Sequence, residues 1–436
     1  MKIPEIERQS TDKIRVFQTQ QLKNLLVYLK ERSPFYGRLF DHYGIDEHSV
    51  QTLDDLNNLP FTTKEDLQAF NKDFYCVPRE QIIDYACTSG TSGQPVTVVL
   101  TEKDMDRLAY NEAVSLACTG GDEHELYQLC TTIDKRFMAG LAYAMGTRKL
   151  GAGLIRMGSA NPAMQWNAIL SEEPTALIIV PSFLLKLIEY AELHNIDYQN
   201  SSVKKAICIG ESIRDLGFEY NALGRRIKEK WNIELYSTYA STEMGAAFTE
   251  CEAQKGGHHH PELLIMEVVD KAGHPVPDGA PGELVITTLG LEGMPLLRFK
   301  TGDVCVAYSE PCSCGRNTKR LSPIIGRKQQ MLKFRGTTLF VPAIYNTLNA
   351  IPGVKNYQVE VKSNAEGIDD VLILIGTDDR DEEIRHEIIE CLRTNLRVTP
   401  NILIKPKKEV HNLLFPNGNR KPIVFVDKRN ISYSLV

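Results

Sequence analysis

The chain has 436 residues, 42% of them apolar and 24% charged, with a formal net charge of −6 at pH 7. That is the composition of a core-forming protein of about two to four domains, and the lack of a basic block gives no support to nucleic-acid binding. The opening Met1–Lys13 lacks the apolar core of a secretory signal and no apolar run is long enough to span a bilayer, so a cytoplasmic protein with mostly reduced thiols among its ten cysteines is expected.

Leu22, Leu25, Leu26 and Leu29 recur at helical spacing and predict a helix over Thr19–Arg32, ended by Ser33-Pro34-Phe35. Thr62-Thr63-Lys64-Glu65-Asp66-Leu67 reads as a capped helix start. From Tyr85 the pattern alternates. Apolar strings at Val96–Leu100, Ala176–Val180, Ala206–Ile209 and Glu234–Tyr236 are separated by amphipathic stretches, which predicts α/β units with parallel strands. Leu263–Val269, Glu283–Thr288 and Asp303–Ala307 read instead as consecutive short strands between Gly, Pro and Asp turns. They predict a β-rich subdomain over about residues 246–326. Beyond Gly326-Arg327 a small α+β unit is expected. Its elements are helix Ala343–Ala350, strands Gln358–Lys362 and Asp370–Gly376, helix Asp381–Leu396 and strand Ile402–Lys405. The expected fold class is therefore α/β, with a large N-terminal domain over 1–326 and a small α+β C-terminal domain over 327–436.

The stretch Cys87-Thr88-Ser89-Gly90-Thr91-Ser92-Gly93-Gln94-Pro95 combines hydroxyls and glycines between two strand-like runs. Glycines let backbone N–H groups approach phosphate oxygens, and the hydroxyls add donors. The same residues also suit a plain polar hairpin. No Lys follows the second Gly, so this is not the GxxxxGK[ST] loop. Further on, Cys251 and the run His258-His259-His260 precede Cys312-Ser313-Cys314. A thiol and an imidazole from one loop and two thiols from another would make a closed tetrahedral set of the kind that suits structural zinc.

Other stretches give the hydroxyl–glycine loop a context. These are Tyr239-Ala240-Ser241-Thr242-Glu243-Met244-Gly245, Pro281-Gly282-Glu283-Leu284 with Arg298-Phe299-Lys300-Thr301-Gly302-Asp303, and Gly326-Arg327-Lys328-Gln329-Gln330. In this order, the chain resembles the adenylate-forming superfamily of acyl-CoA synthetases, peptide-synthetase adenylation domains and luciferases. Ser33-Pro34-Phe35-Tyr36 and Leu59-Pro60-Phe61-Thr62-Thr63-Lys64-Glu65-Asp66-Leu67 extend the resemblance to the phenylacetate–CoA ligase family, over nearly the whole chain.

The resemblance implies an adenylate-forming N-terminal domain and a mobile C-terminal one. It implies an AMP-forming acid–CoA ligase using ATP, Mg²⁺ and coenzyme A. Thr88, Ser89, Gly90, Thr91, Ser92 and Gly93 would cradle the β- and γ-phosphates, Thr242 the α-phosphate, and Glu243 the Mg²⁺. Tyr239, Gly210 and Glu211 would face adenine, Asp303 the ribose, and Arg327 the ribose or phosphate. Phe137, Met138, Ala139, Pro181, Ala240 and Gly245 would line the acyl pocket, and Lys421 would neutralise charge in the adenylation step. Among the zinc donors Cys251, His258, Cys312 and Cys314, the resemblance favours His258, with His259 and His260 as alternatives.

The chain departs from the family in places. Gln329 and Gln330 stand at the hinge where acidic residues are usual, and Lys421 lies between Arg420 and Pro422. Arg420 could share or replace the role of Lys421, while the altered hinge, with the Lys333 and Arg335 region beyond it, keeps a carrier-protein phosphopantetheine thiol, or an amine, open as the acyl acceptor. The identity of the acid and a homodimeric assembly are likewise left open. Ser241-Thr242-Glu243 could also be a helix start, and Asp303 a turn carboxylate. A non-catalytic nucleotide-binding descendant would be expected to have lost Thr242, Glu243, Asp303 and Lys421, all of which are present.

Overall fold

The structure is a computed structural model that describes residues 3–88, 95–334, 337–363, 369–378, 382–396, 398–416 and 422–429. The chain divides into two compact units. One comprises Met1–Tyr220 with Ile227–Ile324, the other Asn221–Arg226 with Ile325–Val436.

In the larger unit, helix α1 (Thr11–Arg32) begins before the predicted leucine stripe, because Ser10 accepts a hydrogen bond from the Lys13 N–H. Leu22, Leu25, Leu26 and Leu29 are buried along it. Ser33 separates two helices. Its N–H bonds the Leu29 carbonyl, while its side chain accepts from Tyr36 N to start α2 (Pro34–Tyr43). Helix α3 (Lys64–Ala69) carries a reciprocal cap between Thr63 and Asp66, as the sequence predicts.

Strands β1 (Asp84–Cys87) and β2 (Thr97–Leu100) form a separate antiparallel hairpin. This corrects the expectation that Val96–Leu100 belongs to a parallel α/β sheet. Apolar runs of this length do not report their partner, and here the partner is the neighbour across a short loop. Helices α4 (Glu102–Cys118), α5 (Met138–Leu150), α6 (Pro162–Glu172) and α7 (Pro181–Leu193) then alternate with β3 (Leu126–Leu129), β4 (Gly153–Arg156), β5 (Ala176–Ile179), β6 (Lys205–Ile209) and β7 (Glu234–Ser241). These strands pair in parallel, in the order β4-β3-β5-β6-β7. The apolar runs do not mark β3 and β4, which are only four residues long, the first interrupted by Gln128 and the second with just Leu154-Ile155 between Gly153 and Arg156.

From β7 onward the pairing is antiparallel, through β8 (Ala246–Glu250), β9 (Gly257–His258), β10 (Leu264–Val269), β11 (Pro281–Thr288), β12 (Phe299–Tyr308) and β13 (Arg320–Leu321). The strands expected as a β-rich subdomain therefore continue the parallel sheet, joined to it through β13, β9 and β8. No helix among the described residues is long and apolar enough to cross a membrane.

In the smaller unit, Met331–Phe334 and Thr337–Phe340 pair as a hairpin. A four-stranded sheet runs in the order Asn401–Pro406, Asp369–Thr377, Asn356–Ser363, Phe425–Asp427. Val359, Val361, Ile373 and Ile375 of this sheet are buried with Ile344, Leu348, Ile388 and Leu392 from the helices Val341–Asn349 and Glu382–Leu396. Helix Lys407–Leu414 and strand Phe425–Asp427 are additions to the predicted elements.

Candidate functional site

The parallel strands align their carboxyl ends. Ile179 lies opposite Cys208, and Ile209 opposite Thr238. The residues that follow are Val180-Pro181 after β5, Gly210-Glu211 after β6, and Tyr239 near the end of β7. They therefore share one edge of the sheet, the edge where open α/β sheets bind ligands. The loop after β3 brings Phe137, Met138 and Ala139 of α5 to the same edge, since Leu129 pairs with Ile178.

The expected residues that the structure describes have definite settings. Pro181 is the buried first residue of α7. Gly210 has φ +77°, a left-handed conformation that favours glycine. Glu211 accepts hydrogen bonds from the Ser182 N–H (2.8 Å) and hydroxyl (2.9 Å), so it satisfies a donor at the start of α7. Phe137 and Ala139 are half-buried, whereas Met138 is buried in the main apolar core.

Thr242 and Glu243 lie in the turn of the β7–β8 hairpin and are half-buried. The alternative of a helix start is thus set aside: the strands continue on both sides, with Ser241 opposite Ala246. Helix α4 clamps this turn. The Arg107 guanidinium donates to the carbonyls of Gly245 (2.8 Å), Leu263 (2.5 Å) and Leu289 (2.8 Å). One helical turn on, Asn111 accepts from Ala247 N (3.1 Å). Burial lowers the Arg107 pKa to about 10, which still leaves it charged at neutral pH. Gly245 is buried with φ +53°, while Ala240 is exposed.

The Tyr239 phenol donates to Asp303 Oδ2 at 2.6 Å. Burial, and then the Asp303 charge, push the phenol well above its ordinary pKa. Asp303 is mostly buried on β12, where its N–H bonds the Thr301 hydroxyl at 3.1 Å, and that hydroxyl donates to the Leu284 carbonyl at 2.8 Å. Thr88 closes the base of the β1–β2 loop. It exchanges hydrogen bonds with Val96, N–H to carbonyl at 3.0 Å and Val96 N–H to the Thr88 hydroxyl at 3.0 Å. Ser89, Gly90, Thr91, Ser92, Gly93, Arg420 and Lys421 lie outside the described residues, as does the side chain of Gln329. Arg327 is exposed and belongs to the smaller unit.

A second constellation gathers elsewhere in the large unit. One ligand atom each from Cys251, His258, Cys312 and Cys314 lie within 4.8 Å of one another. Cys251 Sγ is 3.6 Å from Cys312 Sγ, and Cys314 Sγ is 3.5 Å from His258 Nε2. The Cys251 hydrogen bond, then His258 and Arg316, lower the Cys314 pKa to about 2, while contact with Cys314 pushes Cys251 up. His258 is raised despite its burial, by hydrogen bonds to Cys312 and Cys314. Of the three neighbouring imidazoles only His258 joins the cluster. His259 bonds the Leu264 carbonyl and is lowered to about 3 by burial. His260 pairs with Glu7 at 2.5 Å.

Supports surround these donors. Thr318 lies 3.2 Å from His258 Nδ1. Arg316 donates to Cys314 Sγ at 3.5 Å and to Glu7 Oε2 at 2.6 Å. Sequence reading finds the rare Cys and His donors but misses Arg107, Asn111, Arg316 and Glu7. Arg107 and Asn111 bond backbone groups, and Glu7 pairs with residues more than 250 positions away, so no local pattern marks them; Arg316 sits beside Cys314, but its ion pair with Glu7 leaves no local trace.

A family model described as AMP-binding enzyme matches residues 44–292, more than half of the chain. A phenylacetate–coenzyme A ligase of Thermus thermophilus is 32% identical over 82% of this chain and 80% of its own length. One from Escherichia coli is 29% identical over 88% and 87%. Among solved structures, 2-hydroxyisobutyryl-CoA ligase in the postadenylation state with 2-HIB-AMP aligns with a TM-score of 0.83 at 22% identity, covering 97% of this chain and 91% of that one.

Proposed function

The chain belongs to the AMP-binding enzyme family, and from that premise we propose its reaction in full: it joins a carboxylic acid to the thiol of coenzyme A, through an acyl-adenylate, at the expense of ATP. The observation that supports this most is the convergence of Pro181, Gly210, Glu211, Tyr239 and the start of α5 on one carboxyl edge of the sheet, beside the Thr242–Gly245 turn.

In the first half-reaction a carboxylate oxygen bonds to the α-phosphorus as the bond to the bridging oxygen breaks and pyrophosphate departs. An anion approaches a polyanion, so donors and positive charge must be in place beforehand. In this reading Thr88 through Gly93 hold the β- and γ-phosphates and Thr242 the α-phosphate. Glu243 offers carboxylate oxygen, the donor chemistry a hard divalent cation takes. Bound Mg²⁺ would supply charge neutralisation at the phosphates. Tyr239 faces adenine, with Gly210 and Glu211 on the same wall. Asp303 receives the ribose hydroxyls and releases the Tyr239 phenol as it does so. Arg327 serves ribose or phosphate, and Lys421 neutralises the developing charge. Phe137, Met138, Ala139, Pro181, Ala240 and Gly245 bound the acid, and Gln329 marks the hinge before the C-terminal domain. In the second half-reaction the thiol sulfur attacks the acyl carbon, the carbon–oxygen bond breaks, and AMP leaves.

The cluster of Cys251, His258, Cys312 and Cys314 fits zinc. The donor set is three sulfurs and one nitrogen, within reach of one ion and with thiolate favoured at Cys314. Four protein ligands leave no open position for water, so the role is structural. The test of the reaction is acid-dependent exchange of pyrophosphate into ATP over a panel of acids, followed by addition of CoA. Exchange with at least one acid and acyl-CoA on adding CoA are expected. Exchange that yields thioester only with a carrier protein would reassign the acceptor.

A further inference from the structure

The loop between β3 and α5 holds consecutive non-glycine residues in the left-handed region, Lys135 at φ +58° and Arg136 at φ +59°. L-residues are disfavoured there, and such backbone persists only where its surroundings over-determine it. Beside the local bond from Phe137 N to the Asp134 carbonyl, Arg136 itself supplies hydrogen bonds that hold the loop. Arg136 Nε donates to the Tyr85 carbonyl at 3.0 Å, and Nη2 to the Ala86 carbonyl at 3.3 Å and the Thr97 hydroxyl at 2.8 Å. The Arg136 carbonyl in turn accepts from Cys87 N at 2.9 Å. One side chain thus grips both strands of the β1–β2 hairpin immediately before Thr88, where the hydroxyl–glycine loop leaves it. The next residue, Phe137, is the N-cap of α5, which begins at Met138.

We propose that Arg136 is a positioning residue for adenylation, strapping the base of the phosphate loop to the wall that holds the acid. This rests on the ligase reading above. The bond from the carboxylate oxygen to the α-phosphorus forms as the bond to the departing pyrophosphate breaks, so nucleophile and leaving group must be aligned. The acid wall fixes the first and the loop fixes the second. Arg136 joins the two through directional donors, which a point charge does not replace. Thioester formation breaks no bond to pyrophosphate and does not need the strap.

The side chain is exposed, so its variants should fold. Arg136→Gly removes the donors while accepting the left-handed backbone, which separates function from stability. With an acid that the wild type activates, kcat/KM for ATP in pyrophosphate exchange should fall about ten- to hundred-fold. The melting temperature, and the rate of thioester formation from synthetic acyl-adenylate and CoA, should stay at the wild-type values. Arg136→Lys should recover only part of the loss. Wild-type exchange in Arg136→Gly, full recovery in Arg136→Lys, or a parallel loss of thioester formation would each overturn the proposal. A wild type that exchanges with no acid would overturn the ligase reading instead.

Discussion

The cysteine–histidine cluster and the carboxyl edge of the sheet, the proposed nucleotide site, are built in opposite ways. In the cluster, donors are supported from behind by residues that are not donors: Thr318 at His258, Arg316 at Cys314, and Glu7 at Arg316. Glu7, His258 and Arg316 are buried. At the sheet edge, polar groups are paired with one another. The Tyr239 phenol donates a hydrogen bond to Asp303, and Glu211 accepts two from Ser182. On the proposed roles, the cluster closes around its own supports, whereas the sheet edge keeps its polar groups in pairs that a ligand can take over. The first arrangement favours stability, the second exchange.

The contrast can be broken most forcefully at the cluster. Cys312→Ser removes one sulfur donor, and zinc should fall from about one per chain to well below it, with a melting temperature lower by at least several degrees. Metal analysis and calorimetry check this; an unchanged melting point would place the cluster outside the structural class. Next in size, Lys421→Ala should slow adenylation by about a hundredfold or more while thioester formation from preformed acyl-adenylate persists. Rapid-quench assays of the separate half-reactions distinguish the two.

A smaller effect is expected at the exchangeable pair. Asp303→Asn should raise KM for ATP by about tenfold, with the melting temperature nearly unchanged. A large loss of stability there would mean that the pair is structural after all. The smallest effect is spectroscopic. Removing the Asp303 charge should move the Tyr239 phenol titration downward, though burial, the larger cause, still holds it above the free value of about 10. The folded protein keeps this proton while the unfolded chain loses it, so Tyr239 lowers stability as pH rises above that value, and over a shorter pH range in the variant. Ultraviolet titration of both proteins measures the shift.

Much of the fold is legible wherever a repeated pattern meets its own caps. The leucines of α1 and the Thr63–Asp66 box are examples. Strands β5, β6 and β7 are legible for their apolar runs, but β3 is broken by Gln128 and β4 offers only two adjacent apolar residues after its glycine. The pairing of Val96–Leu100 with β1, rather than with the parallel sheet, is a tertiary choice that alternation does not encode. In the cluster, the gathering of Cys251, His258, Cys312 and Cys314 is legible because the donors are rare residue types. Arg316 and Glu7 are not, because a salt bridge across so many positions leaves no local trace. At the sheet edge, family resemblance points to Tyr239, Thr242, Glu243 and Asp303. It does not point to Arg107, whose three hydrogen bonds all go to backbone carbonyls and impose no sequence on their partners.

The proposed reaction turns on a carboxylate oxygen attacking the α-phosphorus of ATP, and an isotope measures that directly. With an acid labelled with ¹⁸O in its carboxylate, ATP and coenzyme A, the AMP released should carry one ¹⁸O, as seen by mass spectrometry. That oxygen bonds to phosphorus in the adenylate and stays there when the thiol takes the acyl group. Unlabelled AMP, or label appearing in inorganic phosphate with ADP as co-product, would contradict the acyl-adenylate route.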